Sequence, residues 1–202
     1  MADDATPPSE RPRAIGLAPG LALDAAGQDA AKYGTTNPVV QKLLAAWMAK
    51  LQGVLGTPTG VTVDVGVGEG FALERMFPAG TEVVALEYRH DGLVVASERL
   101  EAVSVVRGDA GVLPFPDASA DLVTSIEVLE HLPGFEQAVA EMARICRGRL
   151  VVSVPWEPWF RLGNDPEHVQ AFTPARLRRA LGEHFAEVRV VRAFPWLIAE
   201  AR

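Results

Sequence analysis

What most constrains this chain is an alternation. Short β-branched runs recur at Val61–Val65, Glu82–Glu87, Val103–Arg107, Leu122–Ile126 and Leu150–Val154, with helical stretches near Phe71–Met76, Leu93–Leu100 and Phe135–Cys146 between them. Strand and helix in this order imply an α/β fold, a parallel sheet covered on both faces through right-handed crossovers. The end of the chain departs from the rhythm. A helix after Pro174 (Leu177, Ala180, Leu181) is followed by two strands, Val188–Phe194 and Trp196–Ala201, that turn at Pro195. So short a connection requires an antiparallel pair.

Upstream of the alternation, Pro38 suits the first turn of a helix, and Val39, Leu43, Leu44, Trp47, Met48 and Leu51 recur at helical spacing until Gly53, Gly56 and Pro58 end it. Residues 1–30, rich in Ala, Pro, Gly and Asp without a sustained period, read as a mobile N-terminal arm, and 31–202 as one domain. That length is enough for a sizeable core.

Composition excludes several classes. A formal charge of -7 argues against a surface built to neutralise nucleic-acid phosphates, and Arg176, Arg178 and Arg179 read as a solvated helix face. Cys146 is the single cysteine, which excludes an intrachain disulfide and a cysteine-rich zinc site; in the pattern Met142–Cys146 it reads as a small buried thiol on a helix. No apolar run reaches membrane-spanning length, and the N-terminus opens on Asp3, Asp4 and prolines rather than a basic-then-apolar leader. A cytoplasmic protein is expected.

The first strand of the alternation runs into Gly66, Gly68 and Gly70 before a helix. Glycines there let backbone approach a ligand closely, at the strand end where an open parallel sheet binds ligands. A dinucleotide loop has GxGxxG spacing over a pyrophosphate; here the spacing is GxGxG and Asp64 precedes it by two. A carboxylate there would repel a pyrophosphate and could receive the amino-acid end of a cationic cofactor. Glu87 ends the second strand, where a carboxylate can take both ribose hydroxyls. Gly108-Asp109-Ala110 ends the third, where a carboxylate can accept from an adenine amino group, and Glu127 ends the fourth beside the same pocket.

With these residues in place, Val63–Gly70, Gly108-Asp109-Ala110 with Leu113-Pro114-Phe115, and Glu127–Leu132 resemble successive motifs of the class I S-adenosylmethionine-dependent methyltransferases, in their small-molecule branch. The similarity covers about Tyr33 to the C-terminus. It implies a Rossmann-like seven-stranded sheet of order 3-2-1-4-5-7-6 with strand 7 antiparallel. It also implies that Gly66 and Gly68 pack on the methionine part of the cofactor, that Glu87 holds the ribose and Asp109 the adenine, and that Tyr33 closes over the cofactor.

Methyl transfer from a sulfonium requires alignment above all, and a hydroxyl acceptor must also lose its proton to a base or a metal-bound partner. Glu127, Glu130, His131 and the later His168 are the groups available near the ends of strands four and five. Two carboxylates and two imidazoles could hold a Mg²⁺-like ion, as in the similar motifs of small-RNA 2′-O-methyltransferases and ubiquinone-pathway O-methyltransferases. Alternatively His131 or His168 serves as a general base without metal, or the cluster is structural. His90 and His184 read as surface histidines. Trp156, Trp159 and Phe160, held by prolines after strand five, could form an apolar wall for an organic acceptor. The reading is methyl transfer to a small organic acceptor, on oxygen, in metabolite, lipid or glycan biosynthesis. The alternatives are a metal-assisted RNA 2′-O-methyltransferase and a cofactor-binding protein with little catalysis.

Overall fold

The computed structural model describes residues 28–156 and 167–202. Its long first helix starts where local chemistry directs: Asn37 is the N-cap, its side-chain oxygen accepting from Val39 N–H (3.0 Å) and Val40 N–H (3.4 Å), and Pro38 fills the first turn. In chain order the elements are α1 (Gln28–Tyr33), α2 (Pro38–Leu55), β1 (Thr62–Val65), α3 (Phe71–Met76), β2 (Val83–Glu87), α4 (His90–Arg99), β3 (Val103–Arg107), β4 (Ala120–Ile126), α5 (Phe135–Ile145), β5 (Cys146–Pro155), α6 (Pro174–Gly182), β6 (Val188–Ala193) and β7 (Trp196–Ala201). A 3-10 turn, Leu129–His131, follows β4.

The strands form one sheet of order β3-β2-β1-β4-β5-β7-β6. Pairings from β3 to β5 are parallel, and β7 is antiparallel to both β5 and β6. That is the order implied by the resemblance, and the final hairpin has the sense required by its short turn. Two apolar layers cover the sheet. α5 and α6 pack Val139, Met142, Leu177 and Leu181 on one face, against Val63, Val123 and Val152. α2, α3 and α4 pack Trp47, Leu51, Leu73 and Ala96 on the other, against Leu122, Val151 and Ile198. Neighbouring strand residues thus serve opposite layers, as a pleated sheet buried on both sides demands.

Several boundaries differ from the sequence expectation. Gly53 does not end α2; the helix runs on to Leu55 and stops at Gly56, whose φ of +58° suits glycine. Val39 follows the helical spacing yet is 64% exposed, because it sits in the first turn, ahead of the stretch that meets the sheet. Cys146 is the first residue of β5 rather than part of α5; it is half-buried, and burial pushes its thiol pKa up. His90 and His184 are exposed. Most of the expected N-terminal arm lies outside the described residues, and its boundary at residue 30 falls inside α1. Among the described residues, no helix is long and apolar enough to cross a membrane.

Candidate cofactor and acceptor site

β1 delivers the chain to the carboxyl edge of the sheet, where Gly66 N and Val67 N both donate to Leu86 O (2.7 and 3.0 Å). This pins the glycine loop to β2. Gly66 has φ +83°, and a Cβ there would lie 2.5 Å from Val128 Cγ2. Gly68 has φ +57°, and its Cβ would meet Asp29 Oδ2 at 2.9 Å. A side chain is therefore excluded at Gly66 by conformation and by space, and disfavoured at Gly68 by conformation.

A cavity of about 530 Å³ opens beside this loop, within the range of small-molecule sites. Asp64, Gly66, Gly68, Glu87, Asp109, Ala110 and Glu127, all singled out in the sequence, line it together with Tyr33 and His131. Gly70 instead forms the N-terminal boundary of α3, where its φ of +84° turns the chain into that helix and a Cβ would lie 3.0 Å from Leu100 Cδ1. Glu87 is buried and bidentate to backbone: Oε2 accepts from Gly68 N and Oε1 from Arg89 N, both at 2.8 Å. A carboxylate oxygen has more than one lone pair, so Glu87 keeps accepting capacity towards the cavity. Asp109 caps its own turn through Gly111 N (2.8 Å).

The lining is strongly acidic. Asp29, Asp64, Glu69, Glu87, Asp109 and Glu127 face Arg89, the one arginine or lysine among the described lining residues. Asp64 is fully enclosed; burial, with a smaller push from Glu87, raises its pKa to about 7 against the hydroxyl of Thr124, which donates to it. Burial also raises Asp29, with Lys32 pulling the other way. A cation entering the cavity would favour the ionised form of both acids.

Of the residues that roof the cavity, the sequence reading named Tyr33 and missed Asp29. Asp29 and Tyr33, on α1, are part of its lining. Ala30 N donates to Glu69 Oε2 (3.2 Å), and Tyr33 stacks on Phe71 with the rings 5.7 Å apart and parallel to 2°. The Tyr33 hydroxyl is buried without a hydrogen-bond partner among the described residues, and burial followed by Glu127 and Asp29 pushes its pKa far up. Tyr88, Arg89 and Gly92 line the outer wall. Gly92 was not singled out in the sequence; its role shows only in three dimensions, where a Cβ would lie 3.2 Å from Gly68 O.

On the β4 side, Glu127 adopts φ +58°, a strained conformation for a residue with a side chain. Its amide donates to Ser153 O (2.8 Å), Trp196 Nε1 donates to Oε1 (2.6 Å), and Lys32 forms an ion pair with Oε2. Glu130, His131 and His168 come together, each offering a ligand atom within 4.8 Å of the others. The imidazole rings meet edge to face, 5.0 Å between centroids. Glu130 O accepts from Val169 N (2.9 Å) and Gln170 N (3.0 Å), tying the turn after β4 to the segment carrying His168. The four-residue cluster expected from sequence is thus a group of three, with Glu127 committed to Lys32 and Trp196. His131 Nδ1 lies 3.2 Å from Glu167 O. Because a carbonyl only accepts, Nδ1 carries the proton and Nε2 keeps its lone pair. Trp156 packs edge to face on Phe194, with Arg192 4.8 Å over its ring. Trp159 and Phe160, the other expected wall residues, lie outside the described residues.

Comparison with known proteins adds the family. A model of the methyltransferase domain matches residues 63–152. A probable S-adenosylmethionine-dependent methyltransferase of Mycobacterium tuberculosis is 33% identical over 105 residues, covering 51% of this chain and 38% of that protein. A demethylmenaquinone methyltransferase of Renibacterium salmoninarum is 35% identical over 135 residues, covering 65% and 57% respectively. The chain therefore spans only part of these relatives' lengths. Among solved structures, magnesium protoporphyrin IX methyltransferase from Synechocystis with bound S-adenosylhomocysteine superposes with a TM-score of 0.65 at 18% identity, over 88% of this chain and 94% of that one; at that identity it speaks to the fold alone. Residues 63–152, which carry the glycine loop and most of the acidic cavity's lining, thus match a methyltransferase domain, in a sheet whose strand order is that of the class I S-adenosylmethionine-dependent methyltransferase fold.

Proposed function

We propose that this protein transfers the sulfonium methyl group of S-adenosylmethionine to oxygen of a small organic acceptor, in metabolite, lipid or glycan biosynthesis. The observation that carries the reading is the position of His131 on the cavity wall, across from the glycine loop, with Nε2 free to take a proton. The cofactor supplies an already activated methyl group. Gly66 and Gly68 present bare backbone to its methionine part, and Asp64 offsets its positive charge through the enclosed carboxylate. Glu87 accepts from the ribose hydroxyls, and Asp109 and Ala110 border the adenine. Tyr33 closes the cavity from above.

His131 removes the acceptor proton as the new carbon–oxygen bond forms, and Glu167 O stabilises the resulting imidazolium. His168 supports the His131 ring from its edge. Trp156, just after β5, offers an apolar ring for the acceptor. The test is methyl transfer from labelled cofactor across hydroxyl, amine and carbon acceptors, with His131→Ala in parallel. Oxygen-methylated product lost in the variant supports the reading; unchanged turnover ends the base role.

A second reading follows from the three-residue cluster. Glu130, His131 and His168 combine a hard carboxylate with two imidazoles, a donor set fit for a divalent ion. Such an ion would lower the pKa of an acceptor hydroxyl. A chelator and Mg²⁺ series decides it, since activity indifferent to both, and retained in Glu130→Ala and His168→Ala, removes the metal.

A further inference from the structure

Between α1, α2, β4 and β7 a group of side chains gathers around one ammonium. The Lys32 ammonium sits over the rings of Trp47 (5.2 Å), Trp196 (5.3 Å) and Tyr33 (5.3 Å from each centroid), and ion-pairs with Glu127. Three π faces and one carboxylate around a single cation make an aromatic cage, the arrangement by which proteins recognise alkylammonium groups.

We infer that this cage is a subsite for the ammonium group of an amino-alcohol or related cationic acceptor, and that Lys32 stands in for that group. This rests on the proposal that the cavity receives an acceptor beside the cofactor, and names the acceptor's chemical class.

The two tryptophan walls are fixed from behind, independently of Lys32. Trp47 Nε1 donates to Ser153 Oγ (2.9 Å), and Ser153 Oγ donates to Leu197 O (3.1 Å). Trp196 stacks on Trp47, 4.7 Å between centroids, and its Nε1 holds Glu127 Oε1, leaving Oε2 for the cation. The strained φ of Glu127 places its carboxylate there. Walls set by their own hydrogen bonds keep their geometry when the occupant changes. Glu127 and Tyr33 belong to both the cage and the cavity lining, so the cage adjoins the cavity, while Trp47 and Trp196 are buried behind Lys32 and open to a ligand when its ammonium is displaced. Lys32, by contrast, is partly exposed and comes from a helix of six residues. It is the replaceable partner.

The experiment titrates full-length protein with choline and with its neutral isostere 3,3-dimethylbutan-1-ol, followed by tryptophan fluorescence in saturating S-adenosylhomocysteine. Wild type, Lys32→Ala and Lys32→Ala/Glu127→Gln are compared, with Lys32→Met replacing the alanine variant should that fail to fold. The expected result is choline binding at least about tenfold tighter in Lys32→Ala than in wild type and at least about tenfold tighter than the isostere, with the preference lost in the double variant. Equal affinity for choline and isostere overturns the proposal, as does a preference that survives without Glu127. Displacement of choline by S-adenosylhomocysteine also overturns it, because the cage is then the cofactor's own ammonium site. Calorimetry with S-adenosylhomocysteine on the same samples reports separately on the cofactor reading. Cofactor binding without choline binding sinks the cage alone; choline binding without cofactor binding sinks the methyl-transfer reading and leaves the cage.

Discussion

The two halves of the cavity are built by different means. On the β1–β3 side, backbone does the work. Gly66 N and Val67 N are held on Leu86 O, Glu87 is clamped by Gly68 N and Arg89 N, and Asp109 caps its own turn. On the β4–β7 side the surface is assembled from side chains of distant elements, Tyr33, Glu127 and His131, with Lys32, Trp47, Trp196 and His168 packed against them. A backbone-built half tolerates few changes of main-chain conformation and many of side-chain identity beyond its carboxylates. A side-chain-built half can be retuned one residue at a time. On the function proposed above, the cofactor belongs on the first and the acceptor on the second.

The sharpest way to break this contrast is at Gly66. Gly66→Ala forces a Cβ against Val128 in a φ that alanine resists, and should weaken S-adenosylmethionine binding by about a hundredfold or more in calorimetry. Binding kept within threefold would mean the loop is not backbone-limited. On the other half, His131→Gln should lower kcat about a hundredfold or more while cofactor affinity stays within about threefold. A parallel loss of cofactor affinity would merge the two halves into one unit.

A smaller effect belongs to Asp64, whose pKa is raised to about 7 in the folded protein. Ionisation above that value favours a cationic ligand, so S-adenosylmethionine should bind about tenfold tighter at pH 8 than at pH 6, and Asp64→Asn should flatten the profile. The same shift has the opposite sense for the empty protein. The folded state binds the extra proton, so this group's contribution to stability is complete below pH 4 and is lost as pH rises through about 7. Urea titrations at pH 5 and 8 check that sign against the Asn variant.

Behind the cage, Ser153→Ala leaves the buried Trp47 Nε1 without its acceptor and should cost about 1–3 kcal/mol, read as a lowered Tm. Smallest of all, Val39→Thr on the exposed first turn of α2 should change stability by no more than about 0.5 kcal/mol.

The same contrast explains what could be read without coordinates. Asp64, Glu87, Asp109 and Glu127 sit at or next to strand ends, so strand length alone brought them to one edge of the sheet. The hairpin sense of β6 and β7 followed from a turn too short for a crossover. Lys32 and Glu127, however, are 95 residues apart, and Trp196 and Glu127 are 69 apart. No period links them, and a tryptophan at helical spacing, such as Trp47, reads as core. It is core on one face and cage on the other. Cys146 misled for a related reason: the apolar pattern of α5 runs into β5 without a break, and the strand begins where the helix spacing still fits.

Helix α1 has only six residues, too few to persist in water by itself; isolated helices need about 12–15. It holds its shape through contacts on the glycine loop, Phe71 and Glu127, the borders of the cavity it roofs. Opening that roof is thus a small unfolding event rather than a hinge rotation, and it leaves Lys32 in extended chain, where trypsin cuts. The rate of cleavage after Lys32 becomes a clock for how often the cavity opens, and a bound cofactor that adds contacts beneath α1 slows it in proportion to its occupancy.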